Sequence, residues 1–144
     1  MIKESLIKPL KIADLPFNQH IGLESDGDMV LIKQQQYLLN HVGSLHASVI
    51  HGLAEGASGH YLIQNLLPLF PQSLVLVKNA SMQYKRPAMQ ECQAKAKVSD
   101  AALQHCIDTL KRRNRAILNI PVTVLCEHKI IATAEFDWWL RVPK

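Results

Sequence analysis

Glu55 is the only formal charge between Ala47 and Leu62, on a stretch otherwise apolar, small or neutral. A carboxylate so placed is costly unless it is partnered, exposed or put to use. In use it is a general base or a nucleophile, provided the apolar helix raises its pKa from the reference of about 4.3 without neutralising it at working pH. The amide of Ala47 lies in the first turn of the same helix, where N–H groups lack partners and the dipole favours a developing oxyanion. Asn40, fifteen positions before Glu55, could hold an attacking water or a carbonyl oxygen. A base, an anion-stabilising amide and a positioning amide suit chemistry at an activated carbonyl. Each also has a plainer reading. Glu55 can pair with a nearby histidine, Asn40 can be a turn residue, and His46 can orient the turn through a backbone hydrogen bond. His51 and His60 read as structural or exposed.

The elements that must position these residues follow from patterning. Asn40 to Ser44 is a polar turn in which Gly43 can be left-handed and Ser44 can cap a long helix reaching Leu62 and closed by Asn65, Pro68 and Pro71. Gly52, Gly56 and Gly59 thin that helix at about 1 kcal/mol each relative to Ala, which suits close approach by strands. Upstream, residues 4–15 carry a weak helical stripe stopped by Pro16. Ile21 with Leu23, and Met29 to Ile32, read as two strands joined at Ser25-Asp26-Gly27-Asp28. Downstream come a strand from Ser73 to Pro87, another from Cys92 to Val98, and a short helix capped by Asp100. A long hairpin, Ala116 to Cys126 and Ile130 to Leu140, ends the chain. Pro121 implies a bulge or an edge. Trp138 and Trp139 alternate faces, one for the core and one for a rim or interface. The sum is an α+β domain, an antiparallel sheet curled round one helix.

With 144 residues and 48% of them hydrophobic, the chain reads as one domain, residues 1–144, with 1–16 as a lead-in. The net charge of +4 is modest, and the basic run Lys111-Arg112-Arg113 with Arg115 reads as a solvated helix end or a phosphate cluster. No nucleic-acid or membrane partner is expected. Cys92, Cys106 and Cys126 are an odd number without metal-site spacing, so a reducing cytoplasm is expected and a disulfide framework is not. Neither a signal peptide nor a membrane span is legible.

The element order, together with Asn40, Gly43-Ser44-Leu45-His46-Ala47-Ser48, Leu53-Ala54-Glu55 and Tyr84-Lys85-Arg86-Pro87-Ala88, resembles the hotdog fold. Within it the chain is similar to acyl-CoA thioesterases of the phenylacetate-pathway type (PaaI-like) and their domain-of-unknown-function relatives, over Phe17 to Arg141. In that family Asn is followed by Gly-Thr-Leu-His-Gly-Gly and then by an acid further into the helix. Here Ala47 and Ser48 replace the two glycines, Glu55 stands where Asp is common, and Val77 falls where some relatives carry a polar residue.

The resemblance implies an acyl-CoA thioesterase with Glu55 as general base or nucleophile and the Ala47 N–H as oxyanion donor. Asn40 and His46 join the catalytic set; Gly43, Ser48, Met82 and Arg86 line the substrate, Arg86 toward a coenzyme A phosphate. Two other readings are a non-catalytic acyl-thioester-binding module and a hotdog dehydratase or hydratase using His46 or His41. No metal and no cofactor other than the coenzyme A thioester substrate is expected. A homodimer or dimer of dimers is, with Asn40 of one subunit near Glu55 of the other. The physical argument is that the strand Ile130 to Leu140 is too apolar to be a free edge.

Overall fold

A computed structural model describes residues 9–144, so the first half of the expected lead-in stripe lies outside the described residues. The chain runs α1 (Pro16–Ile21), β1 (Glu24–Asp26), β2 (Met29–Ile32), α2 (Ala47–Asn65), β3 (Leu74–Tyr84), β4 (Cys92–Ala96), α3 (Asp100–Arg113), β5 (Arg115–Cys126) and β6 (Lys129–Arg141). One antiparallel sheet has the order β1-β2-β4-β5-β6-β3. α2 packs across β2, β4, β5 and β6, which is the hotdog arrangement: a sheet wrapped on one long helix.

Alternation explains the wrap. Along β5 and β6, Leu118, Ile120, Val122, Val124, Ala132, Ala134, Phe136, Trp138 and Leu140 are buried, and alternation breaks only at the start of β6, where beside a register shift Ile131 is buried and Ile130 is exposed. Leu53, Ala54, Ala57 and Leu62 meet them from the helix. Each fully buried Leu or Phe contributes about 1.5–3 kcal/mol to this two-layer core.

Four expectations change on contact with the tertiary structure. Pro16 starts a helix instead of stopping one, because its fixed φ suits the first helical position and its missing N–H is not needed there. Ile21 consequently belongs to α1, and the first strand shrinks to Glu24–Asp26. The glycines of α2 admit the segment before β1 as well as a strand: a Cβ on Gly52 would lie 3.1 Å from Phe17, one on Gly56 2.5 Å from Leu23, and one on Gly59 3.1 Å from Ile12 and 3.7 Å from Trp138 of β6. Finally, β6 is no edge. It lies between β5 and β3, so its apolar residues are spent inside the sheet, and the edge strands are β1 and β3.

Two caps also move by one or two residues. Ser99, not Asp100, caps α3 by accepting from the Ala102 N–H at 3.1 Å. His46 caps α2, because Ser44 is turned inward onto Asn40. Pro121 sits one residue past the end of the β4 pairing, where its carbonyl still accepts from the Lys97 N–H at 3.1 Å and its missing N–H falls beyond the end of the regular ladder.

Candidate functional site

The turn before α2 is built by Asn40. Its Oδ1 accepts from the N–H groups of Val42 and Ser44, both at 3.0 Å, and its Nδ2 donates to Ser44 Oγ at 2.8 Å. Gly43 completes the turn at φ 81°, a left-handed conformation that favours glycine. Asn40 is therefore a turn residue first; one Nδ2 hydrogen is all that its side chain has left to offer. The buried Ser44 and Leu45 then lead the chain into the helix, the Leu45 N–H donating to the Ala88 carbonyl at 2.9 Å.

At the helix start, His46 Nδ1 accepts from the Ser48 N–H at 3.0 Å. This is the orienting role expected of His46, and it also fixes the ring tautomer, with Nδ1 bare and the proton on Nε2. Ala47 is the first helical residue, and among the described residues its N–H meets no acceptor. Its carbonyl accepts from the Tyr84 hydroxyl at 3.3 Å, tying the end of β3 to the helix start. Between them opens a cavity of about 380 Å³ lined by Asn40, Ser44, Ala47, Ile50, Tyr84 and Arg86 among others.

The fold thus brings Asn40, Ala47 and Arg86 together, and adds Tyr84. Tyr84 carried the family resemblance but was not expected to line the site; its place at the end of a strand directed at the helix start was the available signal. Gly43 shapes the turn behind the cavity. Ser48 faces solvent from the first helical turn, and Met82 is half-buried on β3 two residues before Tyr84.

Glu55 stands apart. Eight residues separate it from Ala47, about 12 Å along the helix axis, and it does not line the cavity. Its side chain is 45% exposed, with Oε2 4.0 Å from His51 Nδ1. The His51 ring meets Phe136 edge-on at 5.6 Å, so the core of the sheet holds it beside the carboxylate. Sequence reasoning set His51 aside as structural or exposed; its i,i+4 spacing to Glu55 was the signal for a helix-face pair. His60 is structural. It is buried, and with Gln64 it donates to the Gly27 carbonyl at 2.7 and 2.9 Å, tethering the β1–β2 hairpin tip to α2.

No cluster of three or more His, Cys, Asp or Glu residues able to hold a metal ion occurs among the described residues. The three cysteines are free and buried. No helix among the described residues is long and apolar enough to cross a membrane.

A six-stranded antiparallel sheet around a helix whose first amide opens on a cavity defines a hotdog-fold protein related to the thioesterases. The chain belongs to the family described as Domain of unknown function (DUF4442), whose profile matches residues 19–140. Among solved structures it is similar to a Pseudomonas aeruginosa protein of unknown function described as a probable thioesterase, with 18% identity, TM-score 0.79 and 90% of each chain covered. It is also similar to a Haemophilus influenzae thioesterase, with 16% identity, TM-score 0.68, 92% of this chain and 88% of that one. A third similar structure is a Bacillus halodurans protein crystallised with CoA, with 16% identity, TM-score 0.64, 83% of this chain and 72% of that one. Comparison with curated proteins returns no match.

Proposed function

We propose that this protein is an acyl-CoA thioesterase whose oxyanion donor is the Ala47 N–H and whose general base or nucleophile is Glu55. The observation that carries the reading is the unpartnered Ala47 amide at the head of α2, facing the cavity that Asn40, Tyr84 and Arg86 line. With the thioester carbonyl oxygen on that amide, a water deprotonated by Glu55 adds to the carbonyl carbon. The tetrahedral oxyanion is held by the N–H and the helix dipole. Its collapse breaks the C–S bond, and the departing thiolate takes up the proton, leaving a carboxylic acid and free coenzyme A. Arg86, exposed at the cavity rim, suits a coenzyme A phosphate. The neighbour crystallised with CoA supports that substrate class.

The separation of Glu55 from the cavity supports a site completed by a second copy of the chain. β3 is an open edge carrying exposed Leu74, Leu76 and Tyr84, and edge pairing across a two-fold axis covers such strands. In that homodimer, or a dimer of dimers, Asn40 and Ala47 of one subunit face Glu55 of the other.

One observation favours a second reading, a non-catalytic acyl-thioester-binding module: the Asn40 carboxamide oxygen is already committed to its own turn. A panel of acyl-CoAs, assayed separately for thiol release and for binding, decides between them. Release of free coenzyme A from at least one member is the expected result, and tight binding without release would establish the second reading instead.

A further inference from the structure

At the far end of β6 from Ala47 the sheet carries a second cavity, of about 680 Å³, lined by Arg113, Asn114, Arg115, Trp139, Arg141, Val142 and Lys144. It lies on the face turned away from α2. Tyr84, beside the first cavity, pairs with Ala132, whereas Arg141 pairs with Leu74; nine strand residues place the two cavities about 30 Å apart within one chain.

Its charges are arranged against stability. Arg115 and Arg141 are directly opposite one another on β5 and β6, and like charges across a ladder repel. Lys144 and Arg113 add to them, yet none of the four has a carboxylate partner among the described residues. The acid on this face of β6 nearest to them, Asp137, instead accepts from Asn119 Nδ2 at 2.8 Å. The last turn of α3, at the negative end of its dipole, holds Lys111, Arg112 and Arg113, whereas Arg115 and Arg141 are strand residues beyond that turn. Beside them Trp139 is half-buried between its cross-strand neighbours Ile117 and Leu76, with part of its indole lining the cavity. The frame is rigid: Asn114 is fixed at φ 58°, its N–H donates to Leu110 and its carbonyl accepts from Val142 at 2.8 Å.

We propose that this cavity binds a nucleotide carrying at least two phosphates, the base on Trp139 and the phosphates between Arg115, Arg141 and Lys144. Two guanidinium groups lining one cavity suit bidentate recognition of phosphate oxygens, and an indole beside them offers a stacking surface for a planar base. An anion there converts the Arg115–Arg141 repulsion into two attractions. The same chemistry is carried by a free nucleoside diphosphate and by the nucleotide end of coenzyme A. The site stands independently of the thioesterase reading.

The test is titration of the intact protein with ADP, adenosine, inorganic pyrophosphate and coenzyme A by calorimetry, with tryptophan fluorescence alongside. ADP should bind and quench Trp139, while adenosine and pyrophosphate should each bind about 10-fold more weakly. Arg115→Gln and Arg141→Gln should each weaken ADP about 10-fold without lowering the melting temperature, since each relieves a repulsion. Trp139→Leu should weaken ADP and leave pyrophosphate unchanged. Lys111→Gln, on the same helix end but outside the cavity, should change ADP affinity less than about 2-fold. Coenzyme A weakened in parallel with ADP by the arginine variants shows that its nucleotide end enters this cavity, apart from the Arg86 site; coenzyme A unaffected identifies a free nucleotide as the ligand. The proposal is overturned if ADP does not bind at millimolar concentration, if both arginine variants bind it normally, or if Lys111→Gln weakens it as much as they do.

Discussion

The indole N–H of Trp138 donates to Ser58 Oγ at 2.9 Å in the core, joining β6 to the middle of α2. The Ser58 hydroxyl in turn donates to the carbonyl of Glu55 at 2.6 Å, so the helical turn that presents Glu55 is anchored to the sheet. Ser58→Ala should destabilise the fold by about 1–3 kcal/mol, because it leaves a buried indole N–H without an acceptor. Urea unfolding measures this, and adding Trp138→Phe should cost less than the two changes summed.

Glu55→Gln should lower thioesterase turnover by about two orders of magnitude or more with the fold intact, since it removes the base and keeps the size. Asn40→Ala should lower it less, by about 10- to 100-fold, through loss of the turn that places Ala47. Acyl-CoA kinetics on variants with unchanged circular dichroism check both. Full activity of Glu55→Gln would remove that residue from the mechanism.

If each site is shared between two subunits, mixing those two impaired variants raises activity above that of either alone. Heterodimers carry one intact site of two and form half of an equimolar mixture, so about a quarter of wild-type activity should return. Sedimentation at low micromolar concentration should show a dimer or tetramer. A fully active monomer would refute the shared site.

Gly56 faces Leu23 so closely that a Cβ there would sit 2.5 Å from Leu23 Cδ1. Ala gains helix propensity of about 1 kcal/mol, but Leu23 is buried and must repack at about 1–3 kcal/mol. Gly56→Ala should therefore be destabilising on balance, and less so in a Leu23→Ala background, by thermal or urea unfolding.

Burial pushes the Cys92 thiol up to about 12 and the Cys106 thiol up to about 11. Above the ordinary thiol value of 9.0, the unfolded chain loses these protons while the folded chain keeps them, so stability falls as pH rises from there to about 11 and beyond. Unfolding curves at pH 8 and pH 10.5 should show the loss, and a Cys106→Ala variant should show less of it. At pH 8 the native thiols should react with a disulfide reagent only as fast as the fold opens.

Much of this protein was legible in the sequence because its signals are local. Alternation in Ala116 to Cys126 and Ala132 to Leu140 dictates two strands with one buried face, whatever they pair with, while the exposure of Ile130 and burial of Ile131 follow from a register shift. The small-residue run after Asn40, with Glu55 as its one charge, dictates a largely buried helix, and the resemblance of its motif and of the element order to a known family pointed to the hotdog fold. What the tertiary structure decided depends on partners distant in the chain. Sequence could not show that β6 would be shielded by β3, because strand order is set by which edges meet. Nor could it show that Phe17 and Leu23 use the glycines of α2, or that Asn40 spends its carboxamide on Ser44. The meeting of Arg115 with Arg141 beside Trp139 follows from the register of the last hairpin. Composition counts cations but says nothing of which of them face one another.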